Sequence, residues 1–174
     1  NLSPMAAIAR FIKETTPDAK TIFIGPCTAK KAEAQLDTVK PYIDAVLTFE
    51  ELQALFDSRD LDITTLPEDV LDNASYFGRI FARSGGLSDA VAEGLKEQNI
   101  DFDLKPCVCD GIEACRMALL KKSKNVLDAN FIEGMACLGG CIGGAGCLTH
   151  GEKNKAEVDK YGREAYEKPI ADAT

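Results

Sequence analysis

The chain is 174 residues long, 45% hydrophobic and 28% charged, with a formal net charge of −8. That is the composition of an ordinary folded protein with enough chain for a real core, and the negative balance argues against nucleic acid or an anionic membrane as a partner. No apolar run reaches the roughly 20 residues needed to cross a bilayer, and the sequence opens at Asn1 with no initiator Met or secretion signal, so it reads as a piece of something longer.

Ser3-Pro4 is a helix start, with Ser as N-cap and Pro at the first helical position. Met5, Ile8, Phe11 and Ile12 follow at helical spacing, which predicts a helix over 4–15 with that face packed on a sheet. Pro17 stops it. A buried strand over 20–24 then runs into Pro26-Cys27 and a lysine-bearing segment. A second strand is expected at 45–47, and Thr48 with Glu51 forms a capping box that opens a helix through about Asp57. Residues 58–75 are polar and read as a surface excursion, while the pattern over 76–83 does not decide its conformation. Ser84-Gly85-Gly86 precedes a helix over roughly 87–98. A strand lies within 101–109, Asp110 is expected to cap a helix over 111–122, and a last strand at 129–132 leads into a glycine-rich loop. A solvent-facing helix over 152–168 closes the chain. Alternating strands and helices predict an α/β fold with parallel strands, read as a single α/β unit over 1–174.

The chemistry sits in the cysteines: Cys27, Cys107, Cys109, Cys115, Cys137, Cys141 and Cys147. An odd number without a secretory signal argues against a disulfide framework and for reduced thiols in a cytoplasmic protein, some committed to a metal. The single histidine, His150, rules out a multi-His metal site and reads as a surface residue. Cys137 and Cys141 stand among Gly139, Gly140, Gly143, Gly144 and Gly146. Thiolates suit iron–sulfur clusters, copper(I) or zinc, and glycines let backbone amides approach a bulky anionic ligand. Cys27 falls just past a strand's carboxyl end, where open α/β sheets bind ligands. Lys30 and Lys31 beside it would offset a cluster's negative charge. Cys107 and Cys109 alternate as in a strand and, with Cys115, read as core packing. A second metal site with Cys147 is the sharper alternative.

The two segments, PCxxKKxE at 26–33 and ExMACxxGCxxGxG at 133–146, resemble the second and third cluster-binding motifs of the FeFe (iron-only) hydrogenases. The resemblance implies the C-terminal part of that family's catalytic domain, binding an H-cluster: a 4Fe-4S cubane bridged to a two-iron subcluster. It implies that Cys27, Cys137 and Cys141 are cubane ligands, with Cys141 bridging to the two-iron site. It also implies that Lys30 hydrogen-bonds a cyanide ligand there, that Glu33 fixes the loop, and that Met135 packs beside the irons. Ser3 matches a serine on the family's proton path, and Ser84-Gly85-Gly86 loosely matches a glycine pair near the cleft.

The intact protein would then interconvert protons, electrons and hydrogen. A missing N-terminal part would supply the first cluster motif and the fourth thiol, with a ferredoxin-type carrier delivering electrons. The piece alone is expected to be inert as an enzyme. Two departures bear on activity. Gly25 stands where the family usually has a methionine, and Gly146-Cys147 replaces the usual glutamine and proline ending. They favour a non-turnover hydrogen or redox sensor as the first alternative. A hydrogenase-like iron–sulfur assembly or scaffold protein is the second, and a structural zinc domain the last.

Overall fold

The computed structural model describes residues 2–69 and 74–172, so residues 70–73 of the expected surface excursion lie outside the described residues. The chain forms two compact units, one of Asn1–Pro67 with Gly144–Leu148, the other of Glu68–Gly143 with Thr149–Thr174. Each is built on a pair of parallel strands with helices around it, the α/β organisation expected from the sequence.

In the first unit, helix α1 (Pro4–Thr15) starts where the sequence says it should. The Ser3 hydroxyl accepts the Ala6 amide, and proline occupies the first turn. Strands β1 (Ile22–Ile24) and β2 (Ala45–Leu47) pair in parallel, Phe23 opposite Val46, joined by the short helix α2 (Ala29–Glu33). Helix α3 (Phe49–Asp57) follows with its capping box formed: the Glu51 amide donates to Thr48, and the Thr48 amide donates to the Glu51 carboxylate. Met5, Ala6, Ala9, Ala34, Val39 and Ile43 make the core, with Phe23, Tyr42 and Val46 packed against it. Asp44 ties the start of β1 to α1: it accepts the Thr21 amide and the Lys13 ammonium, each at 2.8 Å. Those bonds hold its carboxyl far below the usual carboxylate range.

The expected inner face of α1 needs correction. Met5 is buried, but Ile8 and Phe11 are 56% and 59% exposed, and Ala6 and Ala9 go inward instead. Alanines let the helix backbone approach the core closely, and a sheet only two strands wide covers a narrow stripe. Ile8 and Ile12 therefore line an open groove of about 230 Å³ with Ile22.

In the second unit, α4 (Tyr76–Ile80) is the element the sequence left undecided, capped by Ser75. Helix α5 (Gly86–Glu97) follows. Strand β3 (Pro106–Asp110) and strand β4 (Phe131–Met135) pair in parallel over five residues, with α6 (Ile112–Ser123) between them in sequence. Helix α7 (Lys153–Arg163) packs on α4, where Gly162 admits Ile80 and the Tyr76 ring; a Cβ there would lie 2.6 Å from Ile80 Cγ2. Buried Arg83 joins α5 to α7 through Asp89 at 2.8 Å and Asp159 at 2.6 Å. Asp110 does not cap α6. It ends β3, and Gly111, at a φ of 85°, takes the cap position with no side-chain bond. Among the described residues no helix is long and apolar enough to cross a membrane.

Candidate cluster-binding site

Of the residues singled out from the sequence, Cys27, Lys30 and Glu33 lie in the first unit and Met135, Cys137 and Cys141 in the second.

In the first unit the chain leaves β1 through Gly25 and Pro26 and turns into α2, with the Lys30 amide donating to the Cys27 carbonyl at 3.3 Å. Cys27 is partly exposed. Lys30 Nζ lies 2.5 Å from Glu33 Oε2, and the Ser3 hydroxyl donates to the other Glu33 oxygen. Burial acts to raise the Glu33 carboxyl, but the bonds from Lys30 and Ser3 outweigh it and hold the group below its usual range. Lys30, Glu33 and Ser3 thus form one hydrogen-bonded chain. Lys31 is not part of it; it reaches Glu51 at 2.7 Å and the Val46 carbonyl, tying α2 to α3 and β2. The residues after the thiol loop return to this unit. The Gly146 amide donates to the Pro26 carbonyl, and Cys147 is buried at 7% exposure.

In the second unit Met135 ends β4 opposite Asp110, and the loop begins. Gly139 and Gly140 have φ of 79° and 90°, left-handed values that other residues rarely adopt. The loop is held from behind. Its Gly139 amide donates to Asp110 Oδ2 at 2.8 Å, its Gly139 carbonyl accepts the Ser84 amide at 2.9 Å, and its Ile142 amide donates to Ala82 at 3.3 Å. A Cβ on Gly140 would stand 2.5 Å from the Ser84 nitrogen, so only glycine allows this approach. The Ser84-Gly85-Gly86 segment flagged in the sequence is therefore the loop's support. Cys137 and Cys141 remain partly exposed. A cleft of about 730 Å³ is lined by Leu138, Gly139, Ile142 and Gly143 of the loop with the exposed His150, Gly151, Glu152 and Lys155; neither thiol is part of its lining.

Two residues whose part in this site the sequence does not announce matter here. Glu133, wholly buried in β4, accepts the amides of Gly85 and Ser88 and the Ser88 hydroxyl at 2.6–2.8 Å. It caps the N-terminus of α5 from another element, where a negative charge is favoured. Asp110 fixes the thiol loop. The readable signal for Glu133 was an acid in the middle of an otherwise apolar strand; the signal at Asp110 pointed to a helix cap, not to the loop.

Among the described residues no three His, Cys, Asp or Glu side chains converge as a ready metal site. Taken unit by unit, the donor chemistry is of the kind an iron–sulfur cluster takes. Cys27, Cys137 and Cys141 are partly exposed thiols, and a Cβ on Gly139 would meet nothing within 4 Å, leaving room beside the loop. Three thiols fall one short of the four that a cubane usually takes.

Comparison with known proteins gives one family. The profile of the C-terminal domain of the iron-only hydrogenase large subunit matches residues 1–145. Iron hydrogenase 1 of Clostridium pasteurianum is 27% identical over 173 residues, covering 80% of this chain and 30% of its own. The periplasmic Fe hydrogenase large subunit of Nitratidesulfovibrio vulgaris is 29% identical over 160 residues, covering 72% of this chain and 38% of its own. The chain thus spans about a third of the length of these relatives. Among solved structures, an FeFe-hydrogenase from a study of stepwise H-cluster assembly aligns with a TM-score of 0.64 at 20% identity, over 96% of this chain and 60% of that one. An apo FeFe-hydrogenase variant from Chlamydomonas reinhardtii aligns with a TM-score of 0.63 at 18% identity, over 97% and 60%. At these identities the structures establish the fold.

Proposed function

The chain belongs to the family formed by the C-terminal domains of iron-only hydrogenase large subunits, and from that premise we propose that Cys27, Cys137 and Cys141 hold the cubane of an H-cluster in the intact protein. The observation that carries the proposal is the thiol loop itself: its backbone is pinned by Asp110, Ser84 and Ala82 while both of its thiols stay partly exposed. A loop built only to pack a core would bury those sulfurs.

When bound, the cluster supplies the electron chemistry that interconverts protons and hydrogen; the protein holds, orients and insulates it. Cys141 is the bridging thiol in this reading. Lys30 has donors to spare beyond the one on Glu33, so its ammonium can face an anionic ligand while Glu33 and Ser3 fix its direction. Met135, at the end of β4, supplies an apolar wall. The span 1–174 works as one part of a catalytic domain, the fourth thiol comes from an N-terminal segment, and a ferredoxin-type carrier is the electron partner. The intact protein is then an oxidoreductase and this span alone is inert. A cytoplasmic location belongs to the same proposal and rests on the odd number of cysteines, seven, although one relative is named periplasmic.

A sensor reading is favoured by one observation. The Phe23 ring fills the space beside Gly25 where a larger side chain would stand, its Cε1 only 2.8 Å from a built Cβ. Gly25 therefore has no room for the methionine usual in the family, and that departure is what favours the sensor reading.

The test is anaerobic reconstitution of the longer parent protein with iron and sulfide, counting iron and recording EPR beside a Cys137→Ser variant. A cubane signal that the substitution abolishes supports the ligand set. A signal indifferent to Cys137 sinks it. Hydrogen evolution by residues 1–174 alone, above a metal-free control, would overturn the assignment of the missing segment.

A further inference from the structure

Strand β3 carries two thiols two residues apart, so both leave the sheet on the same side. Their sulfurs lie 3.6 Å apart. Cys109 is buried and Cys107 partly exposed. Cys115, on α6, sits over the same stretch, its sulfur 3.7 Å from the Cys109 carbonyl and 3.4 Å from the Met135 carbonyl. Core packing accounts for Cys109. It does not account for a second, accessible thiol held against it, and no metal site forms around the pair among the described residues.

We propose that Cys107 and Cys109 form a redox-labile dithiol, closed to an intramolecular disulfide by a low-molecular-weight disulfide. The Cys107 thiolate attacks one sulfur of the reagent, forming a mixed disulfide and releasing one thiol. Cys109, losing its proton, then attacks the Cys107 sulfur and releases the second. Two protein thiols are oxidised and one reagent disulfide is reduced to two thiols. The order follows from access. Burial first, then the neighbouring Cys107, pushes the Cys109 thiol up to about 11, so it is a poor first nucleophile but an adjacent second one.

Geometry makes the bond reversible. The sulfurs must close from 3.6 Å to about 2.0 Å. Alternate residues of a strand have Cα atoms roughly 6.6 Å apart, near the upper end of the disulfide range. The bond therefore forms by shortening β3 at Val108, and a strained disulfide is readily reduced. Asp110 follows directly and holds the Gly139 amide, so the shortening pulls on the tie behind the Cys137 loop.

The experiment treats the reduced full chain with oxidised glutathione without denaturant, alkylates the remaining thiols and maps peptides by mass. Trypsin leaves residues 97–116 as one peptide holding all three thiols, because Lys105 precedes a proline. The expected product has lost two hydrogens, gives no fragments between Cys107 and Cys109, keeps Cys115 alkylated and reverts with dithiothreitol. Cys109→Ser is expected to stop at a glutathione adduct on Cys107. Cys107→Ser is expected to leave Cys109 at least about tenfold slower than that. Faster hydrogen exchange at the Gly139 amide after oxidation is the expected sign that the strain reaches the loop. A lasting adduct on Cys107 in the unsubstituted chain, a bond to Cys115, or hydrogen loss seen only in urea would each overturn the proposal.

Discussion

The Pro26 carbonyl, immediately before Cys27, accepts the amide of Gly146 at 3.0 Å. The Gly146 carbonyl in turn accepts the amides of Phe49 and Glu50, at 3.1 and 3.4 Å. The backbone that follows the thiol loop is thus stitched between the Cys27 turn and the first turn of α3. Glycine is required there for space, because a Cβ would stand 2.6 Å from Thr48 Cβ and 2.7 Å from its Cγ2. Thr48 cannot yield freely, since its hydroxyl caps α3 through the Glu51 amide.

Gly146→Val is therefore expected to destabilise the chain by about 1–3 kcal/mol through overpacking. Gly146→Ala should fall between Val and the parent. Urea unfolding of the three proteins checks the order. Equal midpoints would show that Thr48 moves aside without cost.

Acid should loosen the first unit through Asp44. Its folded carboxyl lies far below the ordinary value because of the Lys13 and Thr21 bonds. A depressed carboxylate contributes stability that is fully present above the unfolded value of about 4 and is lost as pH falls below it. Unfolding midpoints measured from neutral pH down to about 3 should drop for the parent and drop less for Asp44→Asn. Parallel curves for the two proteins would show that other carboxylates set the acid limb.

Glu133 is a wholly buried carboxyl of the second unit. Its replacement by alanine strips the Gly85 amide, the Ser88 amide and the Ser88 hydroxyl of their acceptor. Buried donors left unpaired cost about 1–3 kcal/mol each, so Glu133→Ala should cost about 3 kcal/mol or more. Glu133→Gln keeps one acceptor oxygen and should cost less. Chemical denaturation gives the magnitudes, and hydrogen exchange at Gly85 and Ser88 locates them. A Glu133→Ala protein with unchanged exchange there would contradict the capping role.

What was legible in the sequence was local. Ser3-Pro4 and the Thr48–Glu51 box announce helix starts because donor and acceptor lie within three residues of each other. Asp110 looked like another such cap, yet its carboxylate is claimed by Gly139, 29 residues away, and Gly111 starts the helix instead. Glu133 reaches α5 across 45 residues or more, a pairing that no window along the chain contains. The apolar spacing of α1 gave the helix but not its inner face, since spacing does not say how wide the covering sheet will be. For the candidate site, the motifs pointed to the thiols and the glycines. The supports behind them, at 82–84 and Asp110, appear only once the chain is folded.

Gly25 offers a last test, because its neighbour explains its size. The Phe23 ring packs on the core of the first unit and leans over Gly25, with Cε1 and Cζ at 2.8 and 2.9 Å from a built Cβ. Restoring the methionine common in the family would push that ring out of place. Gly25→Met alone is expected to cost about 1–2 kcal/mol as an overpacking change. In a Phe23→Leu background the same change should cost less, because the smaller side chain leaves room, and the two substitutions should couple by about 0.5 kcal/mol or more. A double-mutant cycle of unfolding free energies measures that coupling. Strict additivity would mean that the ring rotates aside freely and that Gly25 is small for some reason other than Phe23.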